Sequence, residues 1–76
     1  MTEEEKALIW TIGTVEHLID DGIMEGPKMM TAKGWLIYEQ LIEEDYQPTD
    51  EQMGRSMDTV MAYQTEEYEK AVIESN

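Results

Sequence analysis

The chain carries eighteen acidic side chains and five basic ones among 76 residues, so its formal net charge is −13. A fold for such a chain must bury an apolar core while its carboxylates stay hydrated and apart, because their repulsion opposes the compact state. Solubility requires a net charge of magnitude only about 2–8, so the excess calls for a functional reason. A hydrophobic content of 41%, with two Trp and four Tyr, favours a packed core over disorder. We predict a single domain, 1–76. Its core is small, so self-association would help to stabilise the fold.

The composition also excludes several classes of function. The absence of cysteine rules out disulfides, thiolate chemistry and Cys-based zinc sites. No apolar stretch approaches the roughly 20 residues of a membrane span, and the acidic start, Glu3 to Glu5, is the opposite of a basic signal peptide. Membranes and nucleic acids, both anionic, should repel the protein. We therefore expect a cytoplasmic protein without a cofactor that contacts neither of them directly.

The first predicted helix covers about 2–20. Thr2 followed three residues later by Glu5 forms a capping box. One apolar stripe follows at helical spacing, and Gly22 supplies a C-terminal stop. The stripe consists of Leu8, Ile12, Val15 and Ile19, flanked by Leu18.

The segment 22–31 contains two Gly and one Pro and is therefore predicted as a loop. Its four large apolar side chains are unsuited to free solvent. We expect it either to cover the core as a lid or to present an adhesive surface. These side chains are Ile23, Met24, Met29 and Met30.

A second helix is predicted over about 31–46, with Leu36 facing away from the core. Gly34 destabilises this helix by about 1 kcal/mol relative to Ala. We interpret its presence as a way to let another helix approach closely. The predicted buried side consists of Gly34, Trp35, Ile37, Tyr38, Leu41 and Ile42, and the outer side of Leu36, Gln40, Glu43 and Gln47.

The third predicted helix covers about 49–74. Pro48 ends the preceding helix, while Thr49 and Gln52 form a second capping box. A methionine stripe is predicted to pack in the core and consists of Met53, Met57 and Met61. The sequence therefore predicts an all-α, three-helix bundle whose long third helix either projects or meets a second chain.

The sequence gives little support for a metal-binding or catalytic site. Asp20, Asp21 and Glu25 lie close together, but their spacing is not that of an EF-hand. A solvated acidic run at a helix end explains them better than a metal site. His17 is the only histidine and has no partner residues that would make it a general base. We therefore predict a protein that is not an enzyme and holds no metal.

Trp10 lies about 170° around its helix from the apolar stripe, next to Gly13. Either it anchors a protein interface, as exposed Trp residues often do, or the 22–31 loop covers it. With rows of carboxylates beside it, the predicted partner-binding set is Trp10, His17, Asp20, Asp21, Leu36, Glu39, Glu43 and Glu44.

In size, charge, helix content and lack of catalytic residues, the whole chain resembles the small acidic anti-defence proteins of bacteriophages, such as anti-CRISPR, anti-restriction and DNA-mimic inhibitors. The resemblance is one of type, without a shared motif, and therefore assigns no residue roles. It implies steric or electrostatic occlusion of a nucleic-acid-binding or PAM-reading site on a nuclease complex, in the cytoplasm of the host cell.

Two main functional hypotheses follow. The first is a non-enzymatic inhibitor, monomeric or homodimeric, that binds a basic groove of a nucleic-acid-binding protein. The second is a structural or assembly protein that forms homo-oligomers through helix 3. A metal-buffering or regulatory module is a third, weaker possibility.

Overall fold

The computed structural model describes the backbone of residues 1–26 and 28–74 and the side chains of 1–26 and 28–63. It contains three α-helices, α1 (Glu3–Asp20), α2 (Ala32–Glu43) and α3 (Asp50–Glu74), and no strand among the described residues. The predicted all-α three-helix bundle is therefore confirmed. The prediction that the long third helix projects or meets a second chain concerns side chains beyond residue 63, which lie outside the described ones.

A threonine caps the start of each helix. The hydroxyl oxygen of Thr2 accepts the N–H of Glu5 at 3.1 Å, and that of Thr31 accepts a backbone N–H at 3.0 Å. Thr49 and Gln52 exchange bonds of 3.0 and 3.1 Å, the reciprocal capping box predicted there. Each cap satisfies backbone donors that the helix itself leaves unpaired.

The end of α1 is a Schellman motif built on Gly22, which has a φ of 77°. The N–H of Ile23 donates to the carbonyl of Leu18 at 2.9 Å, and the N–H of Gly22 donates to Ile19 at 3.1 Å. Glycine adopts this left-handed conformation without the Cβ penalty of other residues. The predicted stop at Gly22 is confirmed.

The end of α2 repeats the motif with Asp45, whose φ is 55°, in the place of the glycine. The N–H of Tyr46 donates to the carbonyl of Leu41 at 2.9 Å. The helix therefore ends at Glu43, and the predicted extension to residue 46 was wrong. Aspartate tolerates the left-handed region better than most residues, but it gives no clear stop signal in a sequence.

Helix α1 lies between the other two. Every residue from Lys6 to Glu16 is buried or half-buried. Both α2 and α3 pack on α1, whereas no Cα atom of α2 lies within 8 Å of one of α3 in the described chain. Among the described residues, every close approach of two helix backbones therefore involves α1.

Helix α2 meets α1 through aromatic rings. The ring of His17 lies 5.3 Å from that of Trp35 and 5.6 Å from that of Tyr38, and the latter two lie 5.5 Å apart at 89°. Such edge-to-face contacts are favourable. Tyr38 also covers Gly13, where a Cβ would come within 3.0 Å of three ring atoms. Gly13 therefore sets the distance between α1 and α2.

Helix α3 packs on another side of α1 through small side chains. Ala7 and Thr11 of α1 are 0% and 3% exposed, and Ser56 and Val60 of α3 are 4% and 1% exposed. At the rim of this contact, the guanidinium of Arg55 binds the carboxylate of Glu4 at 2.5 Å, and it also binds Glu51 at 2.9 Å. The exposed ion pairs stabilise little by themselves, so apolar packing holds α3 in place.

Two predictions for α2 were wrong. Ile42, expected in the core, is 48% exposed, because α2 has only α1 as a helical neighbour and buries a narrow strip. Gly34 does not admit another helix. The sulfur of Met30, from the preceding loop, lies 2.5 Å from the position that a Cβ would take.

The predicted methionine stripe of α3 is confirmed only in its first half. Met53 and Met57 are half-buried, while Met61 is 58% exposed. Leu36 is 69% exposed, as predicted for the outer side of α2.

The contact at Gly13 leads to a paired test by thermal or urea denaturation. Gly13→Ala should lower the free energy of unfolding by about 1–3 kcal/mol, because the added methyl group forces the ring of Tyr38 away. The control is Gly54→Ala on α3. Apart from the adjoining backbone, no atom lies within 4 Å of the methyl group that it adds, so that group enters open space. This substitution should raise the free energy of unfolding by up to about 1 kcal/mol through helix propensity. Equal effects would show that α2 does not pack closely at Gly13.

Candidate interaction surfaces

The loop between α1 and α2 is held against α1 by two acidic residues. Glu16 is 3% exposed, and its carboxylate accepts the N–H of Met30 at 2.7 Å. The ammonium group of Lys28 forms an ion pair with Asp20. Sequence reasoning missed Glu16, because one acid among eighteen carries no signal of burial.

The apolar side chains of the loop divide between core and solvent. Met24, Met29 and Met30 are half-buried, which fits the lid alternative, whereas Ile23 is 70% exposed. The loop therefore covers part of α1 and leaves one large apolar side chain in water.

An apolar groove of about 260 Å³ lies where α1, the loop and α3 meet. Its threonines present methyl groups, because the hydroxyls of Thr11 and Thr14 each donate to a backbone carbonyl four residues earlier at 2.8 Å. The groove is lined by Trp10, Thr11, Thr14, Val15, Leu18, Met24, Met53 and Met57.

Trp10 is half-buried and forms one wall of this groove. The loop contributes only Met24 to the lining, and α3 contributes Met53 and Met57. The loop therefore reaches the groove at Trp10 through Met24, while the role of Trp10 as an interface anchor stays a prediction.

The outer side of α2 presents a second surface, the α2 acidic face, which we define as Leu36, Glu39, Glu43 and Glu44. All four residues are exposed. No Lys, Arg or His among the described side chains lies within 4.0 Å of these carboxylates. Glu39 and Glu43 follow Leu36 at helical spacing, so an apolar side chain and two carboxylates share one side of the helix.

The remaining predicted residues have contacts within the fold. His17 is exposed, but its ring contacts those of Trp35 and Tyr38. Asp20 pairs with Lys28, and Asp21 is the C-cap of α1. The structure thus separates the predicted set into the α2 acidic face, the groove at Trp10 and residues near the end of α1.

Within the described residues, no three His, Asp or Glu side chains converge as ligands for a metal ion. In the same part of the chain, no helix has the length and apolarity needed to cross a membrane. No protein-family model, curated protein or solved structure matches the chain. The case for a function therefore depends on the two surfaces.

The bond between Glu16 and Met30 gives a test of the loop anchor. Glu16→Ala leaves the N–H of Met30 without its acceptor, and it should lower the free energy of unfolding by about 1–3 kcal/mol. Limited proteolysis within 22–31 should also become faster. Glu16→Gln retains an acceptor oxygen and should recover most of both losses. Unchanged proteolysis of the alanine variant would contradict the anchor.

Tyr46 gives the fold a predicted alkaline limit. Its hydroxyl group is enclosed and has no hydrogen-bond partner among the described residues. Burial, followed by the charge of Glu3, raises the pKa of Tyr46. A raised pKa means that the folded state favours the protonated phenol. This contribution is present below the unfolded pKa of about 10 and is lost as pH rises through the folded value.

Thermal melts between pH 8 and 11 should therefore show a smaller loss of Tm for Tyr46→Phe than for the wild type. Tyr63→Phe is the matched control, because Tyr63 is 45% exposed, and it should follow the wild-type curve. Parallel curves for all three proteins would contradict the assignment to Tyr46.

Proposed function

We propose that the protein is a non-enzymatic inhibitor that binds the basic groove of a nucleic-acid-binding protein through the α2 acidic face. Carboxylates on a rigid helix offer such a groove the negative charge that it ordinarily meets in phosphates. Complementary charge of this kind speeds association and selects the partner. The bound inhibitor would exclude nucleic acid sterically and electrostatically.

The observation that carries the proposal is that α2 is charged against its own dipole. Its first turn holds Lys33 and no acidic residue, and its last turn holds no basic residue. Glu43 and Glu44 lie at the C-terminal end, where a negative charge costs about 0.3–1 kcal/mol. The like-charged pair Glu39 and Glu43 costs a few tenths of a kcal/mol more.

No described contact offsets these costs. Lys28 and Arg55 pair with acids on α1 and α3, and Lys6 pairs with Glu3. Where a sequence retains unfavourable charges without internal compensation, function is the usual reason. A cationic partner would provide the missing compensation.

Two carboxylates of α2 lie on the same side of the helix. Glu39 and Glu43 are four residues apart, about 6 Å along the helix axis, so both face one cationic surface. Leu36 adds an apolar contact at the same surface, where it is 69% exposed. A nuclease complex of host defence is the partner class that the resemblance to phage anti-defence proteins implies.

The test is capture of a partner from host lysate on the immobilised protein, with elution by salt and competition by double-stranded DNA. Binding should weaken as salt rises, because salt screens attraction between exposed charges. Glu39→Lys with Glu43→Lys should weaken binding at least about tenfold, mainly through the association rate. The same double variant should raise Tm, because α2 becomes better matched to its dipole.

The control, Glu5→Lys with Asp58→Lys, changes the net charge equally at exposed acids outside α2 and should retain most of the binding. Equal losses of binding in both double variants would show that the interaction depends on the net charge of the protein and not on the position of the acids on α2. A captured protein that DNA does not displace would contradict the inhibitor proposal.

The second candidate is assembly through α3, which the exposure of Met61 (58%) and Tyr63 (45%) favours. Helix α3 has 25 residues against 18 in α1, so it outreaches its neighbour. Sedimentation at 10 mM and 500 mM salt separates the two functions. Self-association that strengthens in salt, without competition by DNA, would favour assembly over inhibition.

A further inference from the structure

We infer that the groove at Trp10 binds one large apolar side chain of a basic partner segment, flanked in that segment by Lys or Arg residues. This inference rests on the proposed function, because it names a second element that the same class of partner would present. Its support comes from the size of the groove, from the side chains that line it and from the acids in the segments that contribute them.

The volume of the groove fits a side chain better than a cofactor. It measures about 260 Å³, whereas sites for drug-sized molecules occupy about 300–1,000 Å³. A dry cavity of about 150 Å³ already admits benzene. The groove therefore has room for one leucine, methionine or aromatic side chain.

The walls of the groove suit a side chain that enters from outside. Trp10 is a rigid aromatic surface on α1, and aromatic residues of this kind dominate binding energies in protein interfaces. Opposite it, Met24, Met53 and Met57 come from the loop and from α3. Unbranched methionines adapt their shape to different apolar partners.

Charge defines the rest of the partner. Asp21 and Glu25 flank Met24 in the chain, and Asp50 lies one turn before Met53 on α3. All three carboxylates are exposed and form no ion pair with the described side chains. The loop and α3 segments that contribute to the groove thus carry unpaired acids in a chain of net charge −13, which favours cations flanking the inserted apolar side chain.

A second copy of the chain would bring another net charge of −13 to the groove. Repulsion between the two copies would oppose that contact. The net charge of the chain therefore favours a cationic segment over a second copy as the occupant.

The test uses the full chain with ¹³C-methyl methionine and three synthetic heptapeptides. One peptide has three Lys or Arg residues on each side of a central leucine, the second has alanine at the centre, and the third keeps leucine between serines. At low salt, the basic leucine peptide should shift the methyl resonances of Met24, Met53 and Met57. The exposed Met1 and Met61 serve as internal references.

The affinity of the basic leucine peptide should exceed that of the basic alanine peptide by at least about tenfold, as expected for burial of a leucine side chain. The serine-flanked peptide should bind more weakly than the basic leucine peptide. Met57→Gln should reduce the preference for leucine over alanine to about one, whereas Met61→Gln, four residues along α3, should preserve it. Circular dichroism at the assay temperature verifies that both variants are folded.

Equal binding of the two basic peptides, without shifts at the groove methionines, would overturn the inference and leave the proposed function standing. Binding of neither basic peptide, even at low salt, would count against both. Equal binding of the serine-flanked peptide would overturn the requirement for flanking cations. Concentration-dependent shifts of the groove methionines without peptide would identify a second copy as the occupant instead.

Discussion

The position of α1 between two helices that approach it but not each other is the constraint on which the rest of this structure depends. Among the described residues, no Cα atom of α2 lies within 8 Å of one of α3, so each close approach of helix backbones involves α1. Small residues of α1 are buried there, with Gly13 beneath Tyr38 of α2, and with Ala7 and Thr11 at 0% and 3% exposure. A core this thin is marginal by area alone, so close approach of the helices replaces bulk.

Signals that depend on neighbours in the chain could be predicted from the sequence. The caps at Thr2 and Thr49 and the stop at Gly22 depend on hydrogen bonds within a few residues, and all three are confirmed. The predictions failed where they assumed how many neighbours a helix has. A single buried stripe on α1 leaves Trp10 outside the core, although it is half-buried and lines a groove with Met24 of the loop and Met53 and Met57 of α3. A broad buried side on α2 includes Ile42, although one neighbour leaves it 48% exposed.

The two candidate surfaces differ in the same way: one could be predicted from spacing along the chain and the other could not. Helical spacing alone places Leu36, Glu39 and Glu43 on one outer side of α2, and the exposure of all three agrees. The groove at Trp10 combines three separate segments of the chain, and its apolar character depends on two threonine hydroxyls that bond to backbone carbonyls. The meeting of these segments and the two threonine hydrogen bonds are seen only in the three-dimensional structure. Neither produces a periodic pattern in the sequence.

The charge of α2 and the attachment of α2 to α1 are energetically connected. Repulsion among Glu39, Glu43 and Glu44 disfavours the helical state of α2, the helix whose Tyr38 covers Gly13 of α1. A cationic partner that neutralises these carboxylates would bind the folded chain in preference to the unfolded one. A free partner concentration of one hundred times the Kd adds about 2.7 kcal/mol to the free energy of unfolding. If the proposed partner exists, the same charge that opposes folding of the free chain would favour the bound state, and binding would be coupled to folding of the bundle.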